Sequence, residues 1–163
     1  MSFDVHLLAS TASPPPGAFE AKVDEILRAT GASGGVAEEA FRTHDGLEAE
    51  LYAAGGGGVM FALRGFSPSI AEAIFAVADA TSCFILSAAE VATPLRTPAN
   101  AGDLVMDPDE AAEFPPPLPI ADAAALMTIM GVDFDGWSHY RDQIQAAPQP
   151  KKTGWLSQLF SRS

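Results

Sequence analysis

The stretch LEAELYAAGGGGVMFALR, residues 47–64, decides the fold expected for this chain. Before the four glycines, apolar residues stand at every second position, which is the period of a strand with one buried face. After the glycines a second apolar run begins at Val59. Two strand-like runs joined by a Gly-rich turn are typical of a β-hairpin. The sequence therefore predicts an antiparallel pair of strands here.

The segment before this hairpin predicts one strand followed by one helix. Residues 3–9 alternate between apolar and mainly polar side chains, which indicates a strand with one apolar row. Apolar side chains then recur at helical spacing, and Gly31 is placed to cap the end of that helix. The residues that share the apolar face of this predicted helix are Phe19, Val23, Ile26 and Leu27.

The segment after the hairpin predicts a second helix and a fourth strand. A serine followed by a proline, Ser67 and Pro68, is typical of a helix start. CFILS, residues 83–87, is a nearly continuous apolar run, as expected for a strand in the middle of a sheet. Residues 32–46 show no clear periodicity and receive no assignment.

The resulting order over residues 3–87 is strand, helix, strand, strand, helix, strand, and it resembles the ferredoxin-like split βαβ sandwich. The resemblance implies one antiparallel sheet with both helices on a single face. It concerns the fold alone, because this fold carries many unrelated activities. The fold class expected from the sequence is therefore α+β, a ferredoxin-like βαββαβ sandwich with a C-terminal helical extension.

The rest of the chain predicts an extension of this core and not a second core. Residues 88–119 are rich in Pro and Asp and indicate a long connection. Residues 120–145 predict two short helices, the first of which ends at Gly131. We therefore expect a single α+β domain over residues 1–145, followed by a linker and a basic amphipathic tail in residues 146–163.

The basic tail, KKTGWLSQLFSRS at residues 151–163, is the sharpest feature of the sequence. In a helix its four large apolar side chains lie within about 140° of arc, with two lysines beside them. Thirteen residues form a marginal helix alone, so any order comes from what the tail contacts. We predict that the tail binds a partner; the alternatives are weak contact with an anionic membrane surface, docking on its own chain, or a loose end. The partner-binding residues would be Lys151, Lys152, Trp155, Leu156, Leu159 and Phe160.

The formal net charge of the chain is -12, and it is unevenly distributed. Residues 1–142 hold all 21 Asp and Glu against six Lys and Arg, whereas residues 143–163 hold three cations and no acid. Nucleic-acid binding is disfavoured, because neutralising phosphates requires clustered cations that the acidic body lacks. An acidic body suits a basic protein partner, and the alternative is that the charge only maintains solubility.

No local motif marks a catalytic, cofactor or metal site. The four glycines are followed by a strand and not by a helix, which is the wrong context for a phosphate-binding loop. Cys83 lies in an apolar run and is expected to be buried and structural. The candidate pocket combines dispersed residues, His44, Asp45, Tyr52 and Arg64. We predict no catalytic residue, no metal and no cofactor.

The leading functional prediction is a non-catalytic, cytoplasmic protein-binding domain, of the inhibitor or immunity type, whose acidic surface engages a basic partner. Two alternatives remain: a small enzyme or ligand- or metal-binding protein with a pocket of dispersed residues, and a membrane-peripheral adaptor tethered by the tail. The start of the sequence lacks the pattern of a signal peptide, which favours the cytoplasm. A homodimer through an exposed sheet face or edge is a further expectation. The richness in Ala, Gly and Pro is typical of GC-rich bacterial genomes.

Overall fold

The computed structural model describes residues 2–54, 57–87 and 93–146, which form a mixed α+β domain with eight strands and four helices. In chain order the elements are β1 (Phe3–Leu8), α1 (Pro16–Ala29), β2 (Ser33–Gly35), β3 (Ala40–Arg42), β4 (Glu48–Ala53), β5 (Gly58–Leu63), α2 (Pro68–Thr81), β6 (Phe84–Ser87), β7 (Leu95–Arg96), α3 (Pro108–Ala111), β8 (Leu118–Pro119) and α4 (Ala123–Ala146).

All eight described strands belong to one open sheet, in the order β2-β3-β4-β5-β1-β6-β7-β8. Each neighbouring pair is antiparallel except β7 and β8, which run parallel. β1 lies near the middle, where Val5 is opposite Phe61 of β5 on one side and Ser87 of β6 on the other. The first strand of the sequence is therefore paired on both edges.

The sheet has one face in the core and a second face that is half-buried. Along β1, Phe3, Val5 and Leu7 are buried, whereas the alternate residues are only half-buried. Because successive side chains of a strand point to opposite faces, this pattern assigns each residue to its face. The helices α1 and α2 bury their apolar stripes in the same cluster as the first set of β1 residues. The helical members of that cluster are Phe19, Val23 and Leu27 of α1 and Ile70, Ile74 and Val77 of α2.

The long helix α4 is attached to the body by its first half. Leu126 and Met130 have no exposed surface and belong to the core cluster. One turn further on, the ring of Phe134 makes an edge contact with Phe3 at 5.7 Å and stacks on Phe66 at 6.1 Å between centroids. Phe134 therefore lies at the end of the sheet where β1 begins and β5 has just ended.

The α+β class predicted from the sequence is confirmed, but the ferredoxin-like layout is not confirmed, because the sheet has eight strands. The predicted hairpin is present as β4 and β5, and Ser67 caps α2 by accepting a hydrogen bond from the amide of Ile70 at 3.3 Å. Two further strands, β2 and β3, occupy the unassigned residues 32–46. They were missed because strands of three residues are too short to show a periodicity.

The prediction of two short helices within residues 120–145 is wrong, since α4 is one helix from Ala123 to Ala146. Gly131 does not adopt the positive φ that a capping glycine requires, unlike Gly31 at the end of α1 with φ of 85°. The long connection also differs from expectation. β7 and β8 join the sheet there, and Leu95 of β7 is part of the core.

Candidate functional site: an acidic cleft on the second face of the sheet

A cleft of about 440 Å³ lies on the β2 side of the sheet and contains both carboxylates and guanidinium groups. Its residues come from β2, from β3 and the turn before it, from β4, and from the end of β5. They are Ser33, Gly34, Glu38, Ala40, Phe41, Arg42, Glu48, Ala49, Glu50, Ala62 and Arg64.

Strand register places the charged residues of this cleft side by side. Arg42 of β3 is directly opposite Glu48 of β4, and Ala40 is opposite Glu50. Glu50 is in turn opposite Ala62 of β5. Directly opposed residues of neighbouring strands project from the same face, so these side chains converge on the second face. The small side chains of the two alanines leave space between the charged groups.

The hairpin of β2 and β3 closes one side of the cleft and depends on a tight approach of two backbones. Gly34 has φ of 89°, and a Cβ at this position would lie 2.4 Å from the carbonyl oxygen of Ala40. A residue with a side chain cannot occupy this position without moving β2 away from β3. On the core side, the buried ring of Phe41 meets Phe61 edge-on at 5.5 Å and holds β3 against the sheet.

The turn between β2 and β3 carries the third carboxylate of the cleft, Glu38. This turn is held by the side chain of Asp24 in α1, which accepts a hydrogen bond from the amide of Val36 at 2.9 Å. Glu39 has φ of 54°, and its carbonyl oxygen accepts a hydrogen bond from the amide of Leu51 in β4 at 3.1 Å. These contacts fix the backbone on both sides of Glu38 at the rim of the cleft.

The electrostatics of the cleft are dominated by three carboxylates and two guanidinium groups. Arg42 donates a hydrogen bond to Glu48, and Arg64 lies 3.8 Å from Glu50. The hydrogen bond and the charge of Arg42 lower the pKa of Glu48 below its ordinary value. Exposed ion pairs of this kind are worth only ~0–1 kcal/mol, so the pairs can exchange partners at little cost. The formal balance of the five groups is one negative charge.

Next to the cleft, a row of four half-buried residues crosses the second face. Tyr52 of β4 is opposite Met60 of β5, Met60 is opposite His6 of β1, and His6 is opposite Leu86 of β6. We call this set the Tyr52 row. Desolvation is the largest cause that raises the pKa of Tyr52, and the charge of neighbouring Glu50 raises it further. The row offers aromatic and apolar surface directly beside charged groups.

On the far side of the Tyr52 row, the chain itself covers the second face. Phe84 of β6 has no exposed surface, and the guanidinium of Arg96 lies 4.7 Å from the centre of its ring. Arg96 also donates hydrogen bonds to the carbonyl oxygens of Asn100 at 2.9 Å and Gly102 at 2.8 Å. The loop after β7 is thereby held over this part of the sheet, whereas the Tyr52 row stays half-buried.

The four residues of the predicted pocket are divided between two places. Arg64 lines the cleft, and Tyr52 lies in the adjoining row within the influence of Arg64 and Glu50. His44 and Asp45 lie instead in the turn between β3 and β4, where His44 is beside Gly31. Only Tyr52 and Arg64 are therefore neighbours on the second face.

Asp45 links the turn after β3 to the start of α2. Its carboxylate accepts hydrogen bonds from the hydroxyl of Thr43 and from the buried hydroxyl of Ser69, the latter at 2.7 Å. These two bonds, that of Thr43 first, lower the pKa of Asp45. Ser69 is also hydrogen-bonded to Ser67, the capping residue of α2, at 2.8 Å. These hydrogen bonds give Asp45 a structural role, because they connect the turn after β3 to the start of α2.

The residues predicted to bind a partner through the tail lie outside the described residues. These are Lys151, Lys152, Trp155, Leu156, Leu159 and Phe160. Their role stays a prediction.

Two carboxylates of the cleft, Glu48 and Glu50, were missed by sequence reasoning, although one signal for them was visible. Glu48 and Glu50 alternate with apolar residues, which places both on one face of a strand. The cleft residues from β2 and β3 had no such signal.

Cys83 is fully buried, and this burial raises the pKa of its thiol. Within the ranges that the structure describes, no group of three or more His, Cys, Asp or Glu is placed to hold a metal ion.

Comparisons with known proteins add no assignment. No protein-family model matches the chain, and searches of curated proteins and of solved structures find no match. No helix among the described residues is both long enough and apolar enough to cross a membrane. The cleft and the face around it are therefore the features of the molecule that bear on its function.

Proposed function

We propose that this chain is a non-catalytic binding domain of the cytoplasm that engages a basic protein partner, in the manner of an inhibitor or immunity-type protein. The observation that carries the proposal is the acidic cleft, in which Glu38, Glu48 and Glu50 outnumber Arg42 and Arg64. A lysine or arginine of the partner enters this cleft and takes the place of one of the exposed ion pairs.

The charge of the whole chain supports this choice of partner. A net charge of -12 attracts a cationic protein over distances of about a Debye length, ~8–10 Å at ordinary ionic strength. Complementary charge raises the association rate and selects against acidic competitors. Because Arg64 and Glu50 are 3.8 Å apart and exposed by 77% and 44%, their pair offers little resistance to an incoming cation.

The Tyr52 row supplies the second element that a protein interface requires. Binding energy concentrates in aromatic and apolar anchors that are surrounded by polar groups. Tyr52, Met60 and Leu86 are half-buried in one row, and Glu50 lies two residues before Tyr52 in β4, on the same face. A partner that contacts both sites buries apolar surface beside its paired charges.

The finer description of the fold is part of the same proposal. We infer that this domain is an enlarged ferredoxin-like sandwich, whose central part consists of β4, β5, β1 and β6 with α1 and α2. These strands are consecutive in the sheet, and each neighbouring pair is antiparallel. Both helices contribute to the core on one side, which leaves the second face for binding.

The proposal is tested by affinity capture with three full-length baits handled in parallel. Glu50→Lys reverses a charge in the cleft, and Glu20→Lys makes the same reversal on the exposed surface of α1. We expect a basic protein that is captured by the wild type and by Glu20→Lys but lost with Glu50→Lys. Circular dichroism and thermal unfolding of each bait check that the variants are folded. Equal recovery on all three baits would remove the cleft from the interface.

A small-ligand function is the second candidate, and the volume of the cleft favours it. About 440 Å³ falls within the range of ~300–1,000 Å³ that is usual for ligand pockets. A thermal-shift screen with metabolites and metal ions tests this, because a ligand that binds only the folded state raises the melting temperature. A rise that Glu50→Lys abolishes and Glu20→Lys preserves would establish a ligand in the cleft.

A further inference from the structure

We infer that the basic tail, residues 151–163, docks on the second face of its own chain, with its lysines at the acidic cleft and its apolar residues on the Tyr52 row. Docking is a property of the isolated chain. Its consequence, that the tail competes with the basic partner, rests on the proposed function.

Charge complementarity selects this occupant. The tail carries Lys151, Lys152 and Arg162 and no acid, whereas residues 1–142 hold all 21 carboxylate side chains. The cleft has a formal excess of one carboxylate, and Asp4 lies beside it, opposite Ala62 in the same sheet. A second copy of the chain is the poorer occupant, because two molecules of charge -12 repel one another.

α4, which precedes the tail in the chain, is anchored at the end of the sheet where the cleft lies. Phe134 contacts Phe3 at the start of β1 and Phe66 just after β5. Arg64 of the cleft lies between β5 and Phe66 in the chain, so the cleft is at this same end. The helix that precedes the tail is therefore anchored at the same end of the sheet as the cleft, on the core side.

The length of the linker matches the return path. From Phe134, α4 continues to Ala146, which is about 18 Å at 1.5 Å per residue. The five steps from Ala146 to Lys151 span up to about 17 Å when extended. A fully extended linker therefore brings Lys151 back to about the level of Phe134.

The order of residues in the tail matches the order of sites on the face. The lysine pair comes first, and the four apolar residues begin at Trp155. On the face, Arg42 and Glu48 stand nearest this end, the row of Glu50, Ala62 and Asp4 is the next one inward, and the Tyr52 row follows it. Rows on one face of a sheet are two residues apart, about 6.6 Å, a step that the three residues from Lys152 to Trp155 can span. The lysines can therefore contact the carboxylates of the cleft while the apolar side chains that follow contact the Tyr52 row.

The test uses the full chain with a nitroxide label on the tail. Ser157→Cys provides the attachment site, and the native Cys83 is buried and is not labelled. Relaxation enhancement of backbone amides then measures where the label resides. We expect the strongest attenuation at His6 and Met60 in the Tyr52 row, and little at Glu20 on the exposed side of α1. Uniformly weak attenuation, or attenuation centred on α1, would overturn the docking.

Two charge variants in the labelled protein sharpen the test. Lys151→Glu with Lys152→Glu is expected to reduce the attenuation at Met60 by at least half. Lys22→Glu, a reversal of the same kind on the body, is expected to leave it unchanged. If the tail instead binds phosphatidylserine vesicles and gives no attenuation at the second face, the inference fails in favour of a membrane contact.

The inference and the proposed function fail in different ways. Attenuation at the Tyr52 row without a captured partner would leave the docking intact and remove the proposed function. A partner that depends on Glu50, together with no attenuation, would overturn the docking alone. When both hold, the double lysine variant frees the face, and the affinity for the partner rises several-fold.

Discussion

Replacing Gly131 by alanine tests whether α4 is one helix or two, and the two arrangements predict opposite signs. In the structure Gly131 lies inside α4, and a Cβ built on it meets nothing within 4 Å. Alanine in a helix interior is more favourable than glycine by ~0.5–1 kcal/mol. Gly131→Ala is therefore expected to raise the free energy of unfolding by about 0.5–1 kcal/mol, and the melting temperature by roughly 1–4 °C.

The assay is urea unfolding followed by circular dichroism, with linear extrapolation to water. Gly46→Ala is the matched control, because a Cβ there also meets nothing within 4 Å but φ is 89°. A left-handed backbone disfavours alanine, so this variant is expected to lose about 1 kcal/mol. If Gly131→Ala destabilises the protein as Gly46→Ala does, Gly131 ends a helix and the continuous α4 is refuted. The path of the tail to the cleft would then be lost as well.

Three further variants test the contacts around the site. Asp45→Asn removes a carboxylate whose pKa is lowered from 3.8. The wild type is expected to be more stable than this variant at pH 7, and the difference in stability should disappear as the pH falls through the lowered pKa. Urea unfolding at several pH values measures this difference. Tyr52 is expected to titrate above 10.0 in NMR of ring-labelled tyrosine, and Glu50→Gln is expected to bring its pKa down, since the Glu50 charge contributes to the rise. Leu126 has no exposed surface, and Leu126→Ala is expected to lower the free energy of unfolding by ~2–5 kcal/mol. Val132 is 71% exposed on the same helix, and Val132→Ala is expected to change the free energy of unfolding by no more than about 0.5 kcal/mol. Equal effects of the two variants in urea unfolding would contradict the packing of α4.

The elements with a clear local pattern were predictable from the sequence. The alternation around β4, the glycines before β5 and the serine cap of α2 each report a local preference, and each element appears where the pattern indicated. β6 was also predicted, because a nearly continuous apolar run is typical of a strand in the middle of a sheet. In these segments local propensity and tertiary packing favour the same structure.

The elements without a local pattern depend on contacts that the sequence does not display. β2 and β3 have three residues each and exist as strands because β4 pairs with β3 and Gly34 lets the backbones approach. β7 and β8 have two residues each and are set by pairing with β6 and with one another. Gly131 was mistaken for a helix end because glycine is common there, whereas the anchoring of Phe134 beyond it favours continuation.

The same reason explains what was missed at the site. Arg64 was singled out as a pocket residue, and it lines the cleft. Arg42 was not predicted, because it reaches the cleft only through the β2–β3 hairpin. His44 and Asp45 were grouped with Arg64 because acidic residues and histidines are common in functional sites. In the structure, Asp45 instead accepts a hydrogen bond from Ser69 at the start of α2. A site built across several strands follows from register, which one sequence does not specify.

The central claim, that the second face of the sheet binds basic chains through its acidic cleft, is tested most directly by the affinity for the captured partner. Isothermal titration of the wild type, Glu50→Lys and Glu20→Lys at low and at high salt gives the required comparison. We expect Glu50→Lys to weaken binding about tenfold, a change of about 1.4 kcal/mol, while Glu20→Lys retains the wild-type affinity. The wild-type affinity is also expected to fall as salt rises, because screening weakens attraction between exposed charges. An affinity that is the same for all three proteins and independent of salt would contradict the account.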